Sequence, residues 1–116
     1  MGKSIVGDVV VVPFPQTDLA AGKRRPALVV ATFPGDDLVL VQITTRPTSG
    51  PYAISIGASD FVSGSLQQAS FVRTNRLFTV DQAVIAYTIG KLTDSKIKQV
   101  LASLRQMFSE KSALLT

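Results

Sequence analysis

The stretch VGDVVVVPF, Val6–Phe14, decides the fold class of this 116-residue chain. Its four consecutive valines are β-branched, which favours an extended strand over a helix. Because apolar residues occupy successive positions, we expect this strand to be buried on both faces, or on one face and against a partner. The chain therefore begins with a strand of a packed β-sheet.

Further short apolar segments follow, separated by loops rich in glycine, proline and polar residues. The loops are PQTDLAAGKRR and RPTSGP, and PGDD forms a turn. The segment LFTV either continues the last predicted strand or begins a bend. The predicted strands after the first are PALVVATF (Pro26–Phe33), LVLVQITT (Leu38–Thr45), YAISI (Tyr52–Ile56) and ASFVRTN (Ala69–Asn75).

The C-terminal segment TDSKIKQVLASLRQMF predicts a helix instead, because its apolar residues recur at helical spacing. Thr93 is placed to cap the helix N-terminus, and Asp94 lies where the helix dipole favours an anion. Short strands followed by a packed helix predict an α+β protein, a single domain over residues 1–116 with a small curved or barrel-like sheet. The apolar stripe consists of Ile97, Val100, Leu101, Leu104, Met107 and Phe108.

Composition narrows the function classes. The net charge is +4 and the pI is about 9.8, which favours an anionic partner. The chain has neither cysteine nor histidine, so disulfides, a thiol nucleophile and the usual zinc ligands are excluded. The N-terminal apolar run is too short for a signal peptide or a membrane span, so the cytoplasm is the expected location and no membrane partner is expected.

Lys23, Arg24 and Arg25 stand in a row directly before Pro26. One interpretation is a solvated loop that only keeps the strand edge soluble. The other depends on Pro26, whose ring restricts Arg25 to extended backbone geometry and so holds it at the start of a strand. The planar guanidinium of an arginine fixed in this way suits phosphate oxygens.

Two further strands carry polar side chains. Strand alternation puts Gln42 and Thr44 on one face of the third strand, where threonine is also an ordinary strand residue. In the fifth strand, Phe71, Arg73 and Asn75 are expected to share a face, which is either a binding surface or a solvated one. Phe71 itself is expected in the core rather than against a nucleobase.

Carboxylate pairs give little support for a metal site. The adjacent Asp36 and Asp37 fall in a predicted tight turn, and the single glutamate, Glu110, lies near the end of the helix. No glycine-rich phosphate loop or nucleophile elbow is present in the sequence. We therefore expect no metal and no cofactor.

Five stretches, in this order, resemble the MazF/PemK (Kid-like) family of toxin endoribonucleases from type II toxin–antitoxin modules. The resemblance extends over essentially the whole chain, and it lies in the ordered set rather than in any single motif. The stretches are GDVVVVPFPQTD, GKRRPALVV, VQITT, FVRTNRLFTVD and IGKLTDSKIKQVLASL.

The resemblance implies a small SH3-like β-barrel with a C-terminal amphipathic helix, usually assembled as a homodimer. It implies sequence-specific cleavage of single-stranded RNA such as mRNA, without a metal, to give 2′,3′-cyclic phosphate and 5′-OH ends. It also implies a cognate acidic antitoxin that neutralises the toxin. These are expectations for the present chain.

The family's functional positions map onto this sequence residue by residue. Arg25 matches the arginine that contacts the scissile phosphate, and Thr44 matches the threonine whose hydroxyl joins it. Arg73 matches an arginine that some members use as a catalytic acid. Asn75 stands where relatives have an acidic residue, and an amide cannot accept a proton as a general base. The remaining candidates for binding RNA phosphates are Lys23, Arg24, Arg46 and Arg76.

An alternative from another class is a non-catalytic toxin of the same barrel fold. Such a protein would bind a protein target such as a topoisomerase, or would be a nucleic-acid-binding module. The amide at Asn75 in place of a carboxylate, together with the lack of histidine, keeps this alternative open.

Overall fold

A curled antiparallel sheet carries one C-terminal α-helix in the computed structural model, which describes residues 2–13 and 24–115, with side chains for 2–13 and 24–109. Within these residues the strand order is β4-β6-β3-β2-β1-β7-β5. The predicted α+β class, with a barrel-like sheet and a C-terminal helix, is confirmed. The elements are β1 Asp8–Pro13, β2 Arg24–Thr32, β3 Asp37–Thr44, β4 Ala53–Ile56, β5 Phe61–Gly64, β6 Ser70–Asp81, β7 Tyr87–Leu92 and α1 Asp94–Leu115.

Strand β1 lies inside the sheet, with β2 and β7 as its neighbours. Three of its valines belong to two separate core clusters, and Val11 is buried but belongs to neither. Val9 belongs to the cluster that includes Val100 and Leu104 of the helix, whereas Val10 and Val12 belong to the other cluster. The first strand is therefore buried on both faces within one chain, which decides between the two alternatives of the sequence analysis.

The helix starts at the predicted cap, since the Thr93 Oγ1 accepts the Lys96 N–H at 3.2 Å. A second polar contact joins the helix to β6, with the Oγ1 of Thr74 3.0 Å from the Oγ of Ser103. Most of the predicted apolar stripe is packed against the sheet. Phe108 is the exception and is 57% exposed, because neither core cluster reaches that residue.

One predicted boundary is wrong, and one open alternative is decided. Strand β2 begins at Arg24, so the arginines that were placed in a loop belong to the sheet and pair with β1. Strand β6 is twelve residues long, so LFTV continues the fifth predicted strand instead of bending away. The predicted end of the first strand, Phe14, lies outside the described residues, and the other strand bounds agree to within two residues.

Strands β5 and β7 were not predicted from the sequence. Each contains a glycine, which weakens the usual strand signal. In the structure Gly90 of β7 is needed for close pairing, because a Cβ atom at this position would lie 2.6 Å from the Ser63 carbonyl oxygen. Gly90 thus weakens the strand signal of β7 in the sequence but permits its close pairing in the fold.

Candidate nucleic-acid interface

The main polar site forms where strands β2 and β3 separate. Their pairing ends at Ala27 and Gln42, and the preceding residues Arg24–Pro26 pair only with β1. Pro26 has no N–H to offer to a further rung of the ladder. A cavity of about 440 Å³ opens between the two strands, and we call it the arginine pocket. It is lined by Arg24, Arg25, Pro26, Gln42, Ile43, Thr44, Thr45, Arg46, Arg73 and Arg76.

The arginine pocket concentrates positive charge. Five of its lining residues are arginines, and no carboxylate lines it among the described residues. Two ion pairs, Lys3–Asp36 and Lys96–Asp60, are found in the described ranges, and neither involves an arginine. Because several like charges face one cavity, an anionic ligand is the partner that the arginine pocket favours electrostatically.

Arg25 holds an unusual position in this pocket. It lies opposite Val12 on β1 and is half-buried. Its Nε atom is buried and has no hydrogen-bond partner among the described residues. Leaving a buried donor unpaired costs about 1–3 kcal/mol, so a donor of this kind calls for an explanation. Because Arg25 lines the pocket, its guanidinium is placed to make charge-assisted hydrogen bonds with a phosphate there.

Thr44 ends strand β3 and lines the same pocket. Its Oγ1 accepts the backbone N–H of Arg46 at 3.1 Å, which fixes the position of the hydroxyl oxygen. A hydroxyl that accepts one hydrogen bond still has its own proton to donate. On β6 the residue opposite Thr44 is Phe71, which is half-buried and belongs to neither core cluster, so its expected place in the core is wrong.

The pairing of β6 with β3 is irregular between Arg73 and Arg76. Arg73 lies opposite Gln42, but the next β3 residue along the ladder, Val41, lies opposite Leu77. The intervening residues 74–76 have no partner on β3, so the simple alternation of the strand is interrupted. As a result Arg76 reaches the arginine pocket beside Arg73.

Asn75, which the sequence placed on one face with Phe71 and Arg73, is adjacent in the chain to Arg76 but is not among the residues that line the arginine pocket. It falls inside the unpaired residues 74–76 and is exposed. Lys23, another predicted phosphate contact, lies outside the described residues. The structure therefore brings together Arg24, Arg25, Thr44, Arg46, Arg73 and Arg76 from the predicted set.

Sequence reasoning gave no role to two residues of the pocket. Gln42 is only 8% exposed, and its signal was a lone amide within the apolar run of β3. Thr45 lines the pocket one residue beyond the end of β3, although strand alternation placed it on the face opposite Thr44. Gln42 and Thr45 are both polar residues near the end of an otherwise apolar strand.

Two general features of the described residues bear on function. No group of three or more histidine, cysteine, aspartate or glutamate residues that could hold a metal ion occurs among them. In the same part of the chain, no helix is both long enough and apolar enough to cross a membrane.

The fold and the arginine pocket together define a small barrel-like protein with a site for an anionic ligand. A family model described as "PemK-like, MazF-like toxin of type II toxin-antitoxin system" matches residues 5–108. Because this match covers most of the chain, the protein belongs to the PemK-like, MazF-like toxin family, whose solved members include endoribonucleases. The family predicted from the sequence is confirmed.

Several solved structures share the fold. MazF from Deinococcus radiodurans aligns with a TM-score of 0.73 at 20% identity, covering 94% of this chain and 99% of that chain. A mycobacterial endoribonuclease in complex with its cognate antitoxin gives 0.72 at 20% identity, covering 91% and 95%. The Mycobacterium tuberculosis toxin MazF-mt6 gives 0.70 at 17% identity, covering 88% and 96%. No curated protein matches the sequence of this chain.

Proposed function

We propose that this protein is an endoribonuclease toxin that cleaves single-stranded RNA without a metal ion and is neutralised by a cognate antitoxin. The observation that carries the proposal is the arginine pocket, in which Arg25, whose Nε has no partner among the described residues, lines the same cavity as Thr44. Family membership and the likeness in fold to endoribonucleases support the same conclusion.

The reaction requires little beyond alignment and charge stabilisation. The 2′-OH of one ribose gives its proton to water, and its oxygen forms a bond to the adjacent phosphorus. The bond from phosphorus to the 5′ oxygen of the next nucleotide breaks, and this oxygen gains a proton. The products are a 2′,3′-cyclic phosphate and a 5′-OH. Negative charge grows on the equatorial phosphate oxygens, where preorganised donors commonly contribute the largest share of catalysis.

We assign the predicted site residues separate roles in this reaction. Arg25 and Thr44 donate hydrogen bonds to the equatorial oxygens of the scissile phosphate. Arg73, which lines the same pocket, donates to the departing 5′ oxygen. Asn75 lies outside the pocket, so we assign it no proton transfer. Neighbouring phosphates are bound by Arg24, Arg46 and Arg76, together with Lys23.

The first prediction is cleavage of single-stranded RNA in the presence of EDTA, at the rate seen with Mg²⁺. The reason is that the proposed donors are guanidinium and hydroxyl groups and that no carboxylate among the described residues lines the arginine pocket. The measurement is a time course on a labelled RNA pool, with mapping of the new ends. Loss of cleavage in EDTA that Mg²⁺ restores would contradict metal independence.

A matched substrate tests the nucleophile in the same assay. An RNA with deoxyribose at the scissile position should bind normally and stay intact, because the attacking 2′-OH is missing. A protein that binds RNA but leaves every substrate intact would instead fit the non-catalytic barrel considered from the sequence.

We further propose that an acidic antitoxin segment closes the arginine pocket. One relative of similar fold has been solved with its cognate antitoxin, and a cavity lined by five arginines suits acidic side chains as well as phosphates. Association through such charges is fast and sensitive to salt. Both partners are expected in the cytoplasm, where mRNA is available.

The second prediction is mutual exclusion. Antitoxin and a non-cleavable RNA should compete for the toxin in an equilibrium binding assay, because both need the arginine pocket. Arg25→Ala should weaken both complexes, whereas Arg105→Ala, which removes an exposed helix arginine, should weaken neither. Ready formation of a ternary complex would show that the antitoxin acts elsewhere.

A homodimer is part of the proposal, but its interface differs from the one suggested by the sequence. The sequence suggested a dimer built partly on the apolar first strand and partly on neighbouring surfaces. Val9–Val12 are each at most 7% exposed within a single chain, so their side chains are already occupied. The dimer must therefore use other surfaces.

A further inference from the structure

A second cavity of about 460 Å³ adjoins the arginine pocket across the residues Arg24–Pro26. Its size is within the range of small-molecule sites. We call it the glutamine pocket, because Gln67 and Gln68 line one of its walls. Neither glutamine belongs to the site derived above.

One side of the glutamine pocket is apolar. Val11 lies directly opposite Pro26 on one neighbouring strand and opposite Tyr87 on the other, so these three line it side by side. Leu66 and Ile89 add further apolar surface. Tyr87 is 48% exposed and so presents part of its ring to a ligand. An apolar surface with an accessible aromatic ring suits the flat face of a nucleobase.

The polar wall is the loop between β5 and β6, and both of its ends are held in place. At one end Gly64 has φ +68°, and a Cβ atom there would collide with the carbonyl oxygen of Ile89. At the other end the buried Ser70 donates its hydroxyl hydrogen bond to the Gln68 carbonyl at 3.0 Å. The amides of Gln67 and Gln68 therefore project from a fixed backbone, and both side chains are exposed.

The two pockets share the start of strand β2. Arg24 and Arg25 line both cavities, and strand alternation directs successive side chains to opposite faces. Arg25, whose Nε has no partner among the described residues, is therefore part of the wall that both pockets share. A nucleotide is the ligand that matches the pair of cavities, because it joins an anionic phosphate to a flat, hydrogen-bonding base.

We propose that the glutamine pocket holds one unpaired nucleobase adjacent to the scissile phosphate, with the Tyr87 ring against its face and the amides of Gln67 and Gln68 on its edge. An amide offers both a donor and an acceptor, so it distinguishes bases by the pattern of their edges. The proposal rests on the proposed ribonuclease function and assigns to this pocket part of its sequence selectivity.

The test compares base preferences rather than overall activity. Wild type and the double variant Gln67→Ala/Gln68→Ala would cleave a random RNA pool, and the cut ends would be sequenced. We expect the preference at one position next to the cut to fall by roughly 5- to 100-fold, while the other positions keep theirs. The control Gln99→Ala removes an exposed helix amide outside both pockets and should leave the preferences of wild type.

Substitutions of Tyr87 separate stacking from hydrogen bonding. Tyr87→Phe keeps the ring and should bind RNA like wild type, whereas Tyr87→Ala should weaken binding by roughly 5- to 100-fold. Equal effects of the two substitutions would contradict contact between the ring and a base. If the double glutamine variant cleaves RNA more slowly but keeps the base preferences of wild type, Gln67 and Gln68 do not recognise the base.

A binding readout keeps this inference separate from the nuclease proposal. A random pool with 2′-fluorine in place of every 2′-OH cannot be cleaved by this route but presents the same base edges. If wild type cuts no RNA yet selects one base from this pool, and the double variant loses that selection, the nuclease proposal fails and the base site stands. If both proteins select the same sequences, or neither selects any, the base site is wrong whether or not wild type cleaves RNA.

Discussion

Replacing Arg25 with alanine is expected to lower the rate constant of RNA cleavage by roughly 10²–10³-fold, the usual effect of removing one preorganised donor from a transition state. Arg25 is singled out among the five arginines by its buried, unpaired Nε atom. The measurement is single-turnover cleavage at saturating enzyme, which reports the chemical step rather than binding.

Three further variants define what the Arg25 result means. Arg25→Lys should restore little activity, because an ammonium cannot make the two-pronged contact of a guanidinium. Arg24→Ala should mainly weaken binding and flatten its dependence on salt. Arg105→Ala removes an equal charge from an exposed helix position and should cleave like wild type. Abolished turnover in Arg24→Ala with normal turnover in Arg25→Ala would reverse the assignment.

The stability of the Arg25→Ala variant offers an independent check. A residue kept for folding would lower the melting temperature when it is removed. Removing a buried donor that has no partner among the described residues should leave the melting temperature equal or higher, since the cost of that unpaired group disappears. A variant that is both inactive and markedly less stable would indicate a structural role.

Replacing Thr44 with valine is expected to reduce cleavage by roughly 10²-fold while the protein remains folded. Valine keeps the shape and strand preference of threonine but lacks the hydroxyl. The backbone N–H of Arg46, which loses its acceptor, belongs to an exposed residue and can bind water instead. Single-turnover cleavage and thermal melting of the same preparation would measure both effects.

Two matched substitutions accompany this experiment. Thr44→Ser retains a hydroxyl and should recover much of the activity. Thr79→Val changes an exposed threonine of β6 that lines neither pocket and should cleave like wild type. Full activity in Thr44→Val would show that Thr44 serves only as a strand residue.

The local pattern of the chain was enough to predict the fold class and several members of the site. The valine run of β1 and the apolar stripe of α1 identified a buried strand and a packed helix, because burial follows the periodicity of the backbone. Arg25 stood out because a row of cations precedes a proline at the start of an apolar strand, whereas Thr44 was assigned through the family resemblance. These features depend on neighbours in sequence, so the sequence alone determined them.

Tertiary structure decided which residues meet. The interruption at residues 74–76 of β6 brings Arg76 to the arginine pocket and leaves Asn75 outside it, which strand alternation could not predict. The glutamine pocket is built from a loop and from strands β1, β2 and β7, which are distant in sequence. The pairings of β7 with β1 and with β5 were not predicted, because a glycine in β5 and another in β7 weaken the strand signal. Such placements depend on register and on close backbone approach, which are set by the packing of the whole sheet rather than by any local pattern.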